Sequence, residues 1–438
     1  MDKIFKNKKI VIMGLGLHGG GASVAEFFYK QGANILITDL KTEKQLEESL
    51  KKLKKIKAEY ILGEHREEDF KKADLVIKNP DVPNNSPYLT IARKNNIPIE
   101  TDITLFLNLS KALLIGVTGT KGKSTTATLI YHLLKSKYKR IFLAGNIGVS
   151  PLKIISQVRK GDVVVLELSS FGLEDIKKSP HIAVATNIMP DHLNRYKTIE
   201  EYTDAKKNIF RFQNNNDFLV LNENDFVVRN FSKEANSKIY FYNGNKIPKN
   251  ININNFKLFG KHNLSNLAAA IVVAKILKIS DTSINKSIKS FKGVASRQQF
   301  IKSFKGVKYF NDTTATMPDA VIAAIDSFTN KFEGSELFLI CGGQDKGLNF
   351  LELIEAIKKN SVNLIFLPGT ASELIKNSLK NYNKINSVSS MQEAVLLASK
   401  ISKKGDIVAL SPGAASFNLF KNEFDRGEQF IKAVKNLK

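Results

Sequence analysis

Cysteine is nearly absent from this chain, tryptophan is missing altogether, and acidic residues are few beside basic ones. Its 438 residues include one Cys, no Trp, and 42 Asp and Glu against 66 Lys and Arg. Cys341, standing alone, can form no internal disulfide, and no Cys-rich spacing suggests a metal site. Such usage fits a reducing compartment. Long hydrophobic runs are missing too. The longest, Leu267–Ala274, falls far short of the roughly 20 residues that span a bilayer. The apolar run Ile10–Met13 is cut off by Gly14 and Gly16, unlike the unbroken core of a signal peptide. A cytoplasmic protein with no membrane partner is therefore expected.

The shortage of acids leaves a formal charge of +24. That charge admits nucleic acid, an anionic surface or an anionic substrate as partner. The lysines, however, are spread along the chain and interleaved with Glu and Asp. In Thr42–Lys57, Leu46, Leu50, Leu53 and Ile56 recur at helical spacing beneath a mixed Glu/Lys face, the pattern of a solvated amphipathic helix. No basic block with interleaved aromatics appears, so most of the excess is surface lysine and no nucleic-acid partner is expected. Hydrophobic content of 43% and charged content of 25% lie near globular averages and exclude global disorder.

Short β-branched runs alternate with helical patterns from end to end: Lys9–Met13, Ile35–Asp39, Leu75–Lys78, Ala112–Val117, Ile141–Ala144, Val163–Leu168, Ile182–Thr186, Leu337–Ile340, Leu364–Leu367 and Ile407–Leu410. This alternation predicts α/β domains with parallel sheets, whose ligands lie beyond the carboxyl ends of strands. Breaks near Asn108–Lys111 and Phe291–Arg297 divide the chain into residues 1–110, 111–294 and 295–438. Within the middle part, the Asn- and Lys-rich stretch Asn214–Asn255 is expected at the periphery with short strands at Phe218–Leu221 and Ile239–Tyr242, and a strand pair, Gln299–Phe304 and Val307–Phe310, is expected to open the last part.

Two glycine loops stand at strand exits. In the first, Gly14-Leu15-Gly16-Leu17-His18-Gly19 precedes a helix, and Asp39 follows about 20 residues later, as in dinucleotide-binding loops. Backbone N–H groups there suit a diphosphate, so a nicotinamide cofactor, another nucleoside diphosphate, or merely a tight turn all remain open. The second, Gly116-Val117-Thr118-Gly119-Thr120-Lys121-Gly122-Lys123-Ser124-Thr125, is a shortened P-loop. Its N–H groups and Lys123 can cradle a triphosphate, and the Ser124 hydroxyl can reach Mg²⁺. Glu167, Asp191 and His192 fall at neighbouring strand exits, where a carboxylate or imidazole can help hold the metal. Lys206 and Lys207 lie on the following helix.

Further motifs follow in order along essentially the whole chain: Gly145-Asn146-Ile147-Gly148, Glu167-Leu168-Ser169-Ser170-Phe171, Asp191-His192-Leu193-Asn194-Arg195-Tyr196, Tyr202-Thr203-Asp204-Ala205-Lys206, Gly260-Lys261-His262-Asn263, Asn311-Asp312-Thr313-Thr314-Ala315-Thr316 and Leu410-Ser411-Pro412-Gly413-Ala414-Ala415-Ser416-Phe417. With the second glycine loop they make the chain resemble the Mur ligase family. The last segment, together with Phe420-Lys421-Asn422 and Arg426-Gly427, is similar to the D-glutamate-adding member. Gly172, Asp81, Thr314, Met317 and the order Glu423-Phe424 depart from the usual pattern.

The resemblance implies three domains: a Rossmann-like one for a UDP-sugar, a central P-loop ATPase, and a C-terminal Rossmann-like one for an amino acid. It implies that Gly14, Gly16, Leu17, His18 and Asp39 hold the UDP part and that Asn146 helps bind the sugar diphosphate. Gly119, Thr120, Lys121, Gly122, Lys123, Ser124 and Thr125 would bind ATP, with Asn263, Asn266, Arg297 and Asp312 on the adenosine side. Ser124, Glu167, His192 and a carbamylated Lys206 would serve Mg²⁺, with Lys207 the competing lysine, and Lys123, His192 and Lys206 would act in catalysis. Thr316, Lys346, Ser411 and Ser416 would face D-glutamate. The implied reaction joins D-glutamate to UDP-N-acetylmuramoyl-L-alanine through an acyl phosphate, forming ADP and phosphate during peptidoglycan precursor synthesis, and a monomer is expected. The nearest rivals are an L-glutamate-adding ligase and a folylpolyglutamate synthase-like enzyme, the latter leaving the first glycine loop unexplained. A nicotinamide dehydrogenase leaves the second unexplained.

Overall fold

The computed structural model describes residues 3–17, 19–147, 149–192, 195–416 and 419–438. Three sheets follow one another along the chain. The first holds β1 (Lys9–Met13), β2 (Asn34–Asp39), β3 (Glu59–Leu62), β4 (Leu75–Lys78) and β5 (Ile99–Glu100), in spatial order β3-β2-β1-β4-β5. Every pairing is parallel. Strands β1 and β4 are apolar on both faces, as a parallel strand covered on either side by helices requires.

The second sheet comprises β6 (Leu113–Thr118), β7 (Ile141–Gly145), β8 (Val163–Glu167), β9 (Ile182–Ala185), β10 (Phe218–Asn222) and β11 (Lys238–Tyr242). It is again wholly parallel, in order β11-β10-β9-β6-β8-β7. The Asn-rich stretch supplies its outer strand β11. One apolar core runs through both sheets: Val24, Phe27 and Phe28 of the helix Gly20–Gln31 join Leu152, Ile155, Val164 and Leu166. These two sheets form one compact unit, Met1–Asn252 with Ser265–Ile288.

The other unit, Ile253–Leu264 with Lys289–Lys438, contains the third sheet. Its strands are β12 (Gln299–Phe304), β13 (Val307–Asn311), β14 (Leu337–Cys341), β15 (Asn363–Phe366), β16 (Ile385–Ser387) and β17 (Ile407–Leu410), in order β12-β13-β17-β14-β15-β16. Among the described strand pairs of this sheet, the β12–β13 hairpin alone is antiparallel. Its two-residue turn places both Lys305 and Gly306 at positive φ, the conformation that matches the twist of paired strands.

The sequence pattern locates the central strands well and overlooks β3, β5 and β16. All three are edge strands, where one flank meets solvent and the continuous apolar run disappears. The helix expected over Thr42–Lys57 ends at Lys51, yet turns carry Leu53 into the core beside Leu46. Burial of an apolar side chain fixes its position without fixing the backbone that delivers it. Leu267–Ala274 lies within the helix Lys261–Ile276, and no described helix is long and apolar enough to cross a membrane.

Candidate active site

The functional candidates gather at strand exits. After β1, Gly14, Gly16 and Gly19 all have positive φ, and the helix Gly20–Gln31 begins at once. A side chain at Gly14 would collide with Asn79 Cβ, 2.9 Å from its own Cβ. Asp39, buried at the end of β2, accepts from Gly16 N–H at 3.2 Å and from Lys41 N–H at 2.9 Å, so the acid braces the loop. Leu17 is exposed beside it. His18 lies outside the described residues. Asn146, just past β7, reaches toward Glu167: its side-chain amide lies 3.5 Å from Oε1.

The P-loop after β6 is bound to the exit of β9. Thr120 N–H donates to Asn187 O (2.8 Å), Lys121 N–H to Asn187 Oδ1 (2.8 Å), and Thr186 Oγ1 to Lys121 O (2.7 Å). Gly119 sits at φ 139°, where a Cβ would stand 1.9 Å from Thr186 Oγ1, so only glycine fits. Gly122 takes the left-handed conformation that opens the helix Lys123–Leu134, with Ser124 and Thr125 in the first turn. The first N–H groups of that helix and its dipole favour an anion there. Lys123 donates to Thr120 O at 2.7 Å, folding back over the loop. Buried Asn266 accepts from Thr126 Oγ1 (3.1 Å) close to Gly122.

Lys206 distinguishes itself from Lys207. It is 1% exposed on the helix Ile199–Arg211, donates to Gly119 O at 3.0 Å, and lies 4.6 Å from the centre of the Tyr202 ring. Burial, reinforced by the nearby Lys123 charge, pulls its pKa well below the usual lysine range, while Asp191 and Glu167 oppose the shift. Lys207 instead pairs with Glu234 at 2.6 Å. Burial also pushes the Tyr202 hydroxyl, 3.1 Å from Thr120 Oγ1, up to about 12.

Glu167, at the end of β8, is 2% exposed, and its Oε2 has no hydrogen-bond partner among the described residues. A buried carboxylate oxygen without a donor is costly unless a cation meets it. With the Ser124 hydroxyl this is a hard, oxygen-rich donor set that fits Mg²⁺, which keeps water and phosphate among its ligands. His192 has positive φ (54°), lies 3.7 Å from the Asp191 carboxylate and faces the Phe171 ring at 4.9 Å.

Sequence spacing assigns no role to three neighbours that hold this site. Asn187 and Thr186 clamp the P-loop, and their one signal was position at a strand exit. Arg195 donates to Glu174 Oε2 (3.0 Å) and to the backbone carbonyls of Pro80, Asp81 and Val82, tying the loop beyond β4 to the segment after His192. Buried Lys78 meets Asp175 at 2.8 Å within the same unit.

The second unit carries Asn263, Arg297, Asp312, Thr316, Lys346, Ser411 and Ser416. Asn263 donates to Phe259 O at 2.7 Å. Asp312, at the exit of β13, accepts from Gln298 N–H and from Ser411 Oγ, both at 3.1 Å. Burial raises its pKa to about 7, against the pull of these donors and of Arg297. Ser411 and Ser416 are buried and Thr316 half-buried, whereas Lys346 is exposed.

Parallel sheets with glycine loops at their exits, one of them a P-loop ringed by a lysine, a carboxylate and an imidazole, define a nucleotide-binding α/β protein of several domains. Comparison with known proteins makes this specific. The MurD-like Mur ligase N-terminal domain matches residues 8–101, the Mur ligase middle domain 117–274, and the Mur ligase glutamate ligase domain 296–413. A UDP-N-acetylmuramoylalanine--D-glutamate ligase of Roseiflexus sp. (strain RS-1) is 36% identical, covering 98% of both chains. One from Borreliella burgdorferi (strain ZS7) is 38% identical over 100% of this chain and 99% of its own. Among solved structures, UDP-N-acetylmuramate-alanine ligase MurC from Thermotoga maritima aligns with a TM-score of 0.63 at 21% identity, covering 99% of this chain and 100% of that one. MurF ligase from Thermotoga maritima, in complex with ADP, aligns at 0.60 and 18% identity, covering 99% and 98%. The chain belongs to the Mur ligase family.

Proposed function

We propose that this protein joins the amino group of D-glutamate to the L-alanyl carboxylate of UDP-N-acetylmuramoyl-L-alanine at the expense of ATP, releasing ADP and phosphate, in the cytoplasmic synthesis of a peptidoglycan precursor. The observation carrying this reading is the end-to-end similarity to D-glutamate ligases in a chain whose P-loop and surrounding side chains suit acyl activation. Gly14, Gly16, Leu17, His18 and Asp39 bind the UDP part, assisted at the diphosphate by Asn146. Gly119 to Thr125 hold the ATP phosphates, with Asn263, Asn266, Arg297 and Asp312 on the adenosine side. Thr316, Lys346, Ser411 and Ser416 receive the amino acid.

A carboxylate resists attack by an amine because its carbon is shielded by negative charge and carries no leaving group. Transfer of the γ-phosphoryl group to the L-alanyl carboxylate supplies one. Lys123 offsets charge on the transferring group, and the N–H groups at the start of the helix Lys123–Leu134 fix it in line. The glutamate amine then attacks the acyl carbon and phosphate departs. Ser124, Glu167 and His192 would hold Mg²⁺, which when bound neutralises phosphate charge. Lys206 completes that set as a carbamate: its neutral amine, favoured by burial, adds to the carbon of CO₂ and loses a proton, turning a repelling cation into an anionic oxygen donor.

Incubation with UDP-N-acetylmuramoyl-L-alanine, ATP and each glutamate enantiomer, with ADP release as readout, tests the proposal. Release should require the UDP-sugar and D-glutamate together. Preference for the L form would redirect the assignment to an L-glutamate-adding ligase, and indifference to both would remove it.

A further inference from the structure

Arg426, on the helix Glu423–Lys435, is 0% exposed. Its guanidinium donates from Nε to Thr313 Oγ1 (3.1 Å), from Nη2 to Thr313 O (2.9 Å) and from Nη1 to Ala414 O (3.1 Å). All three acceptors are uncharged. Among the described residues no carboxylate forms an ion pair with it, although the nearby Glu423 charge favours its cationic form. Burial lowers its pKa to about 10, which still leaves it cationic at neutral pH. An unmatched donor lies beside the same helix: the Asn311 side-chain N–H is buried without a partner among the described residues, 3.0 Å from where a Cβ on Gly427 would stand. The helix also comes so close to Thr313 that a Cβ at Gly427 would lie 2.7 Å from its Cγ2.

Neutral acceptors offset only part of the penalty for burying a cation. Methionine or leucine would fill the same space without that penalty, so the retained charge calls for an anion as its counterpart. The two segments Arg426 ties together are the one from Asp312 to Thr316 and the one from Ser411 to Ser416. Both bear residues assigned above to the amino acid, and both are anchored to each other by Ser411 Oγ donating to Asp312.

We propose that Arg426 is a positioning and specificity residue: it fixes these two segments and, through a charge for which none of its hydrogen-bond acceptors carries a counterpart, favours an amino acid that brings a second carboxylate. Where water is excluded, such a charge acts over several ångströms without contact. This inference rests on the reading of the chain as a glutamate ligase.

The test compares D-glutamate with D-glutamine, which has the same length and one negative charge fewer, each as substrate or as competitor. In Arg426→Gln the preference for glutamate should fall at least about tenfold, through a higher KM for glutamate, while KM for ATP changes less than about twofold. Thr313→Val removes one tether but keeps the charge. It should weaken both amino acids alike, with their ratio unchanged. An Arg426→Gln enzyme that loses both equally, or a ratio that moves as far in Thr313→Val, reduces Arg426 to a structural staple and overturns the inference. Should Arg426→Gln fail to fold, Arg426→Lys decides: a preserved preference supports the role of charge, and a lost one refutes it. Failure of the underlying reading is separate, since the unsubstituted enzyme would then turn over neither glutamate enantiomer.

Discussion

At the scale of single residues, burial sets the chemistry of two titratable groups in opposite senses. Lys206 is held toward its neutral form beside the P-loop, the state that can capture CO₂. Lys206→Ala should therefore reduce ADP release by about 10- to 100-fold, the scale on which metal-site support is lost. Activity of the unsubstituted enzyme in CO₂-depleted buffer should rise on adding bicarbonate, and normal turnover by the variant without any bicarbonate response would exclude the carbamate. Asp312 shows the converse effect, with its carboxyl kept protonated up to about pH 7. An unfolded aspartate ionises near 3.9. Between about pH 4 and pH 7 the native state thus binds more protons than the unfolded one, so this group lowers stability as pH rises, fully so above pH 7. Asp312→Asn should remove that slope: urea midpoints of variant and parent should agree most closely at pH 4 and diverge in favour of the variant by pH 8.

At the scale of elements, the strand-loop-helix unit from β6 to the helix Lys123–Leu134 depends on glycine for space as well as for φ. Gly119→Ala sets a methyl against Thr186 Oγ1, the hydroxyl that holds Lys121 O. The loop must detach from Asn187 to accommodate it. ATP affinity measured by equilibrium binding should drop at least about 100-fold, while the secondary structure of the two sheets, seen by circular dichroism, stays the same. Unchanged affinity would mean that the clamp by Thr186 and Asn187 does not shape the phosphate site. The motif spacing made this loop legible because glycine is irreplaceable there. Its clamp was not legible, since an Asn at a strand exit has many possible uses.

At the scale of the whole molecule, the +24 charge is spread thinly. Many lysines meet acids on their own helices, as Lys51 does with Glu47 and Glu48, both at 2.9 Å. Such exposed pairs contribute little to stability, but they break up any continuous basic stripe. Double-stranded DNA or RNA should accordingly leave ADP release unchanged at about 0.15 M salt, and stimulation by either would point instead to an ATPase that works on nucleic acid.

By itself the sequence determined the α/β class, the central strands, both glycine loops and the family motifs, because each depends on local rules: apolar runs for buried parallel strands, and glycine where the backbone needs positive φ. The edge strands β3, β5 and β16 escaped it, since these half-exposed strands have no such run. Tertiary structure alone decided which of the two adjacent lysines is buried against the P-loop, that Glu167 keeps an oxygen without a donor among the described residues, and that Arg426 is a buried cation hydrogen-bonded to uncharged acceptors. Those properties arise from which groups, distant in sequence, exclude water from one another. No spacing of residue types along a chain encodes that.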